Sequence, residues 1–218
     1  MRYNREQIIE EARRIMALAW PIMLTSLNWT LMHIIDVAVV GHYGTAELAA
    51  LAASRTLTFI AIVMGFSGLA GVLVFASRAD GGGRLAETGE IFRSGLALGL
   101  MLGVTTMAVL RLWAYPLLDL VGVEPSLLAP GAAVVEAMAL AFPAQLLLAA
   151  ASYFLEGISR PRRVMAVNLA MLPVNALLAW AWVGGHLGLP ALGAVGAAYA
   201  TAAASWLGAA AMLALIWL

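Results

Sequence analysis

Thr25, Asn28, Met32 and Asp36 follow one another at spacings of three and four, so a helix places them on one face. Asp36 carries the chemistry: a carboxylate can take up a proton or hold a cation. It lies in an apolar run from Ile15 to Val40, where a carboxylate costs about 2.5–3.5 kcal/mol at the centre of a membrane helix and less toward its ends. His33 stands beside the polar face. Pro21 frees a backbone carbonyl early in the run, which predicts a kink and a hinge there. A polar stripe on a kinked helix faces a bundle interior or an aqueous cavity. Arg55 lies at a similar depth in the next apolar run, where it could pair with Asp36 or snorkel to the surface. Farther on, Asn168 and Asn175 are seven residues apart with Pro173 between them, predicting a second opened helix. Their amides suit a cavity wall or ordinary contacts between helices. Thr201 and Ser205 share one edge of the last apolar run, where back-bonding to helix carbonyls is the simplest use of their hydroxyls.

The elements that must position these groups are membrane helices. The 218 residues are 63% hydrophobic and 11% charged, with a mean hydropathy of +0.94. Soluble domains average about 45–50% apolar and about 25% charged. Six runs approach or exceed the roughly 20 residues a span needs: about 15–40, 47–76, 92–113, 131–155, 164–184 and 192–217. The fold class is an all-α membrane protein with one six-span bundle over residues 15–218. Residues 1–14 mix apolar and charged positions at helical spacing and read as an interfacial lead-in helix. A cleavable signal is not expected, because the following run is too long and no small-residue site follows it. The Gly65/Gly68/Gly71 series and the Ala/Gly pattern of 193–204 read as close-packing faces.

Every basic residue is an arginine. Ten of them fall before span 1 or in the 2–3 and 4–5 connections, and Arg111 alone falls on the other side. The positive-inside rule then places both termini in the cytoplasm, in a plasma or inner membrane. Glu156 is expected to pair with the Arg160–Arg163 cluster, and Glu136 to be interfacial. An echo links "VVGHYGTAELAALAA" (39–53) to "VGGHLGLPALGAVGAA" (183–198).

An enzyme is not expected. "GFSG" (65–68) fits the G-x-S-G pattern of rhomboid proteases, but their serine needs a histidine in reach. The histidines here are His33, His42 and His186, and none lies inside a late span. No cysteine is present, no metal-ligand cluster or phosphate loop is legible, and neither a cofactor nor a nucleic-acid partner is expected.

The chain resembles the amino-terminal half of multidrug and toxic compound extrusion (MATE) transporters. The resemblance rests on the order and spacing of "LAWPIMLTSL", "DVAVVGHYGTAELAALA", "IFRSGLALGL", "FLEGISRPRRVMAVNLAMLPVNALLAW" and "LPALGAVGAAYATAAASWLG". It implies two six-helix bundles around a central cavity. It implies exchange of protons or sodium ions for bulky cationic or amphipathic compounds. Asp36 matches the family's acidic coupling residue on helix 1. Asn175 and Thr201 match its polar neighbours, and Pro21 matches the helix 1 proline whose kink has been linked to protonation. Thr25, Asn28, Met32 and Asn168 are candidate cavity or substrate residues.

Two departures qualify this. Ala179 stands where the family often has Asp or Asn. One carboxylate instead of two offers less negative charge to sodium, which favours a proton as the coupling ion. The chain also carries six spans where the family has about twelve. The expectation is a proton-coupled drug antiporter that needs a second bundle from a homodimer or a partner chain. The alternatives are a lipid-linked oligosaccharide flippase of the same superfamily, which would need a strongly cationic cavity, and an inactive half-transporter or truncated product.

Overall fold

The computed structural model describes residues 5–217. Among them are seven α-helices: α1 (Arg5–Tyr43), α2 (Thr45–Gly81), α3 (Leu85–Leu120), α4 (Pro125–Ala139), α5 (Phe142–Gly157), α6 (Pro161–Gly184) and α7 (Gly193–Trp217). A single 3-10 turn, His186–Gly188, precedes α7. Five helices are long and apolar enough to cross a membrane. The pair α4 and α5, bent by 48°, makes a sixth crossing if it is counted as one span.

Two expectations about helix breaks are corrected. The helix does not open at Pro21 or at Pro173: α1 and α6 are each helical throughout. The Thr25 hydroxyl donates to the Pro21 carbonyl at 2.9 Å, the back-bond to residue i−4 that a threonine makes in a helix. α1 runs without interruption from Arg5 into span 1. Residues 1–4 lie outside the described residues.

The breaks fall elsewhere. Span 4, expected as one helix, divides at Leu140–Ala141. Pro143 has no N–H, and its ring would collide with the carbonyl four residues earlier, so a new helix begins there. The Leu140 carbonyl is taken up by the Trp206 indole N–H at 3.1 Å. In α3, Trp113 departs from helical geometry (φ −128°, ψ 22°) one turn before Pro116.

Small residues let the helices close on α5. A Cβ on Gly103 would stand 2.5 Å from the Pro143 Cα, and one on Gly99 2.9 Å from the Leu146 carbonyl oxygen. Gly65 makes room for the Leu146 side chain, whereas Gly71 is exposed and serves no such contact. One core cluster gathers around Val40, Leu118, Val135 and Phe142, a second around Leu69, Leu146, Leu155 and Met212. α1 packs chiefly on α6 and α6 on α7. That three-helix contact is where the polar residues meet.

Candidate functional site

Asp36 is 3% exposed, Asn175 0% and Thr201 5%. They come from α1, α6 and α7. The Asn175 amide donates from Nδ2 to Asp36 Oδ1 at 3.0 Å, and the Thr201 hydroxyl donates to Asp36 Oδ2 at 3.4 Å. Local sequence explains the arrangement. Asn175 lies two turns from Asn168 on one α6 stripe, and Thr201 sits among alanines and glycines that let α7 approach closely. Ala179, also 0% exposed, follows Asn175 by one turn.

The two donors satisfy a charged carboxylate without neutralising it. Asn175 Oδ1 is buried and has no partner. A side-chain amide offers both a donor and an acceptor, so a rotated Asn175 can accept a hydrogen bond from the O–H of an Asp36 carboxylic acid. The site can therefore hydrogen-bond either form of Asp36.

Asp36 and Arg55 do not pair. Among the described residues the sole ion pair within 4.0 Å is Arg84–Glu87. Arg55 instead donates to the His33 carbonyl at 3.2 Å, which holds the guanidinium short of the carboxylate. Arg55, His33 and Asp36 nonetheless line one cavity of about 570 Å³ between α1 and α2, floored by Met138.

A second cavity, of about 390 Å³, takes Thr25, Trp29, Phe66, Tyr153, Glu156 and Asn168 into its wall. Thr25 and Asn168 both back-bond, to Pro21 and Val164 respectively. Asn28 is 1% exposed, with Nδ2 4.0 Å from the Met32 sulfur and Oδ1 unpartnered. The structure thus divides the predicted stripe: Asp36 joins Asn175 and Thr201, while Thr25 joins Asn168 at the other cavity. Glu156 faces that cavity and does not pair with the arginines after it.

Two polar groups inside the bundle or at its turns were not legible. Gln145 is 2% exposed with Oε1 unpartnered, and its one signal was an amide inside an apolar run. Glu47 accepts the Ala194 N–H at 2.7 Å and so caps α7 from the start of α2. Gly193 has φ +55°, and a Cβ there would collide with that carboxylate. The sequence echo bears on this contact, since it aligned the α1–α2 and α6–α7 turns that Glu47 joins.

Comparison with known proteins places this geometry. The MatE family model matches residues 21–181. The chain is 34% identical over 203 residues to the probable multidrug resistance protein NorM of Caulobacter vibrioides. It is 29% identical over 200 residues to the multidrug resistance protein PmpM of Pseudomonas aeruginosa. These matches cover 90% and 92% of this chain but 42% of each relative, so it spans less than half their length. Among solved structures, the eukaryotic MATE transporter AtDTX14 superposes with a TM-score of 0.86 at 17% identity, over 96% of this chain and 46% of that one. A MATE protein in its bent conformation gives 0.84 at 20% identity, over 95% and 45%. A six-span reading, a carboxylate buried where α1, α6 and α7 meet, and a matching family model over most of the length lead to one conclusion: the chain belongs to the MatE family.

Proposed function

We propose that this bundle is the cation-coupled half of an exporter of bulky cationic or amphipathic organic compounds, working by alternating access. The observation that carries the reading is Asp36: buried at a junction of three helices, hydrogen-bonded on both oxygens by neutral donors, with no cation in ion-pairing distance among the described residues. Such a carboxylate is expensive to keep charged in a membrane. A proton answers that cost directly.

The proton is the coupling ion. A sodium ion needs converging oxygen lone pairs, and here Asn175 and Thr201 turn donors toward Asp36. Ala179 supplies no second carboxylate. Protonation removes the charge that the two donors hold, and so biases α1 against α6 and α7; a ligand shifts such an equilibrium only by favouring one state. Pro21 is the hinge that would let α1 answer. The cavity beside Asp36 contains Arg55 and His33 against one carboxylate, short of the strongly cationic wall that a lipid-linked oligosaccharide would need.

The export path needs a second bundle, from a second copy, a partner chain or further sequence. Arginine placement puts residues 5 and 217 on the cytoplasmic side of the inner membrane. The test is ethidium efflux from cells expressing this chain, wild type against Asp36→Asn. Wild type is expected to export and the variant to reach the membrane without exporting. A protonophore should abolish wild-type export and sodium removal should leave it unchanged. A sodium-dependent rate indifferent to pH would overturn proton coupling.

A further inference from the structure

The turn between α5 and α6 gathers three arginines around a cavity of about 440 Å³, together with Ala17 and Leu18 of α1 and Ser159. Arg162 lies 6.0 Å above the centre of the Trp20 ring. Arg163 donates one bond to the Leu215 carbonyl at 2.8 Å, which fixes it against α7 and leaves its other donors uncommitted. Ser159 takes φ +60°, unusual for a residue with a side chain, and lines the same cavity. Arg13, exposed on α1, stands one turn before Ala17 and extends the basic wall by register. No side chain caps the N-terminus of α6, so its positive end opens beside the arginines. Among the described residues no carboxylate lies within ion-pairing distance of Arg160, Arg162 or Arg163. Glu156, the near acid, faces the other cavity.

These observations combine unneutralised guanidinium groups and an open helix end with the apolar Ala17 and Leu18 and the Trp20 indole. Guanidinium forks match phosphate oxygens in pairs. Trp enriches at the headgroup level, and basic pockets between membrane helices bind anionic headgroups. A free phosphate would use the arginines but not the Ala17–Leu18–Trp20 surface, which suits the glycerol and acyl portion of a lipid. We propose that this pocket is a specific binding site for the phosphodiester headgroup of an anionic phospholipid. Occupation would tie α1, the α5–α6 turn and the end of α7 together. The proposal needs the membrane reading and no part of the transport mechanism.

The test uses the purified full chain in a neutral detergent. The probes are dioctanoyl phosphatidylglycerol, dioctanoyl phosphatidylcholine and inorganic phosphate, read by thermal shift and by lipid adducts in native mass spectrometry. Phosphatidylglycerol should raise the melting temperature of wild type, while the other two should not. Arg160→Gln with Arg162→Gln should weaken that response at least fivefold. Arg78→Gln with Arg93→Gln, an equal loss of charge elsewhere, should leave it near wild type. Unchanged phosphatidylglycerol binding in the first pair, or equal losses in both pairs, would overturn the site. Equal stabilisation by inorganic phosphate would overturn the lipid as its ligand. Should the first pair fail to fold, quenching of wild type by brominated phosphatidylglycerol decides. A component lost in Trp20→Phe and absent with brominated phosphatidylcholine supports the site, and equal quenching by the two lipids overturns it.

Discussion

Asn175 and Thr201 both donate to Asp36, but not equally. The 3.0 Å amide bond to a buried carboxylate is worth about 1.5–3 kcal/mol if the aspartate is charged, and the 3.4 Å hydroxyl bond less. Asn175→Ala is therefore expected to lower stability by that amount and to slow export. Thr201→Val should cost under about 1 kcal/mol. Chemical denaturation of purified protein measures both. In an Asp36→Asn background the Asn175→Ala penalty should shrink, because contacting partners are not additive. At this scale much was legible. Asp36 stood out by the expense of its location, and helical spacing with the family resemblance supplied its neighbours. The Arg55 pair was not legible, because equal depth in two helices says nothing about rotation: Arg55 turned to a carbonyl of α1, His33, instead of the carboxylate one turn on.

The elements explain why the polar groups meet where they do. α5 is held by backbone-to-backbone approach at Gly103 and Gly99, so a methyl group has nowhere to go. Gly103→Ala is expected to destabilise by about 1–3 kcal/mol. Gly89→Ala, with nothing within 4 Å of its added Cβ, should gain up to about 1 kcal/mol from helix propensity. Thermal unfolding followed by far-UV circular dichroism separates them. The break between α4 and α5 was hidden from the sequence for a physical reason. Hydropathy averages over a window, and Pro143 lies inside a continuous apolar stretch; only the indole of Trp206 and the glycine of α3, both distant in sequence, make the opening tolerable. Pro21 and Pro173, by contrast, leave α1 and α6 as continuous helices. A proline always deletes one donor, but whether the helix bends depends on neighbours that the local sequence does not show.

Across the whole molecule, Glu47 joins the two turns of one end by capping α7 from α2. Glu47→Ala should cost about 0.5–2 kcal/mol, and Glu47→Gln, which keeps an acceptor, much less. Hydrogen exchange at residues 194–197 should rise in the first variant and hold in the second. Tyr43, donating to the Gly184 carbonyl at 3.1 Å, secures the same two turns. The sequence echo pointed to these turns without giving their contact, because the Glu47 bond has no counterpart in the second copy of the echo.

The 48° bend between α4 and α5 also sets the parity of the chain. Counted as one bent crossing, the pair makes the number of passages even, and residues 5 and 217 emerge on the same face of the bilayer. Counted as a re-entrant loop, the same helices leave five passages and opposite faces. An enzyme reporter fused after Trp217 reads the difference, and activity confined to the cytoplasm is expected. With even parity, a second bundle joined after this one would stand parallel to it; with odd parity it would be inverted. One broken helix in the interior thus decides what kind of neighbour the bundle can accept.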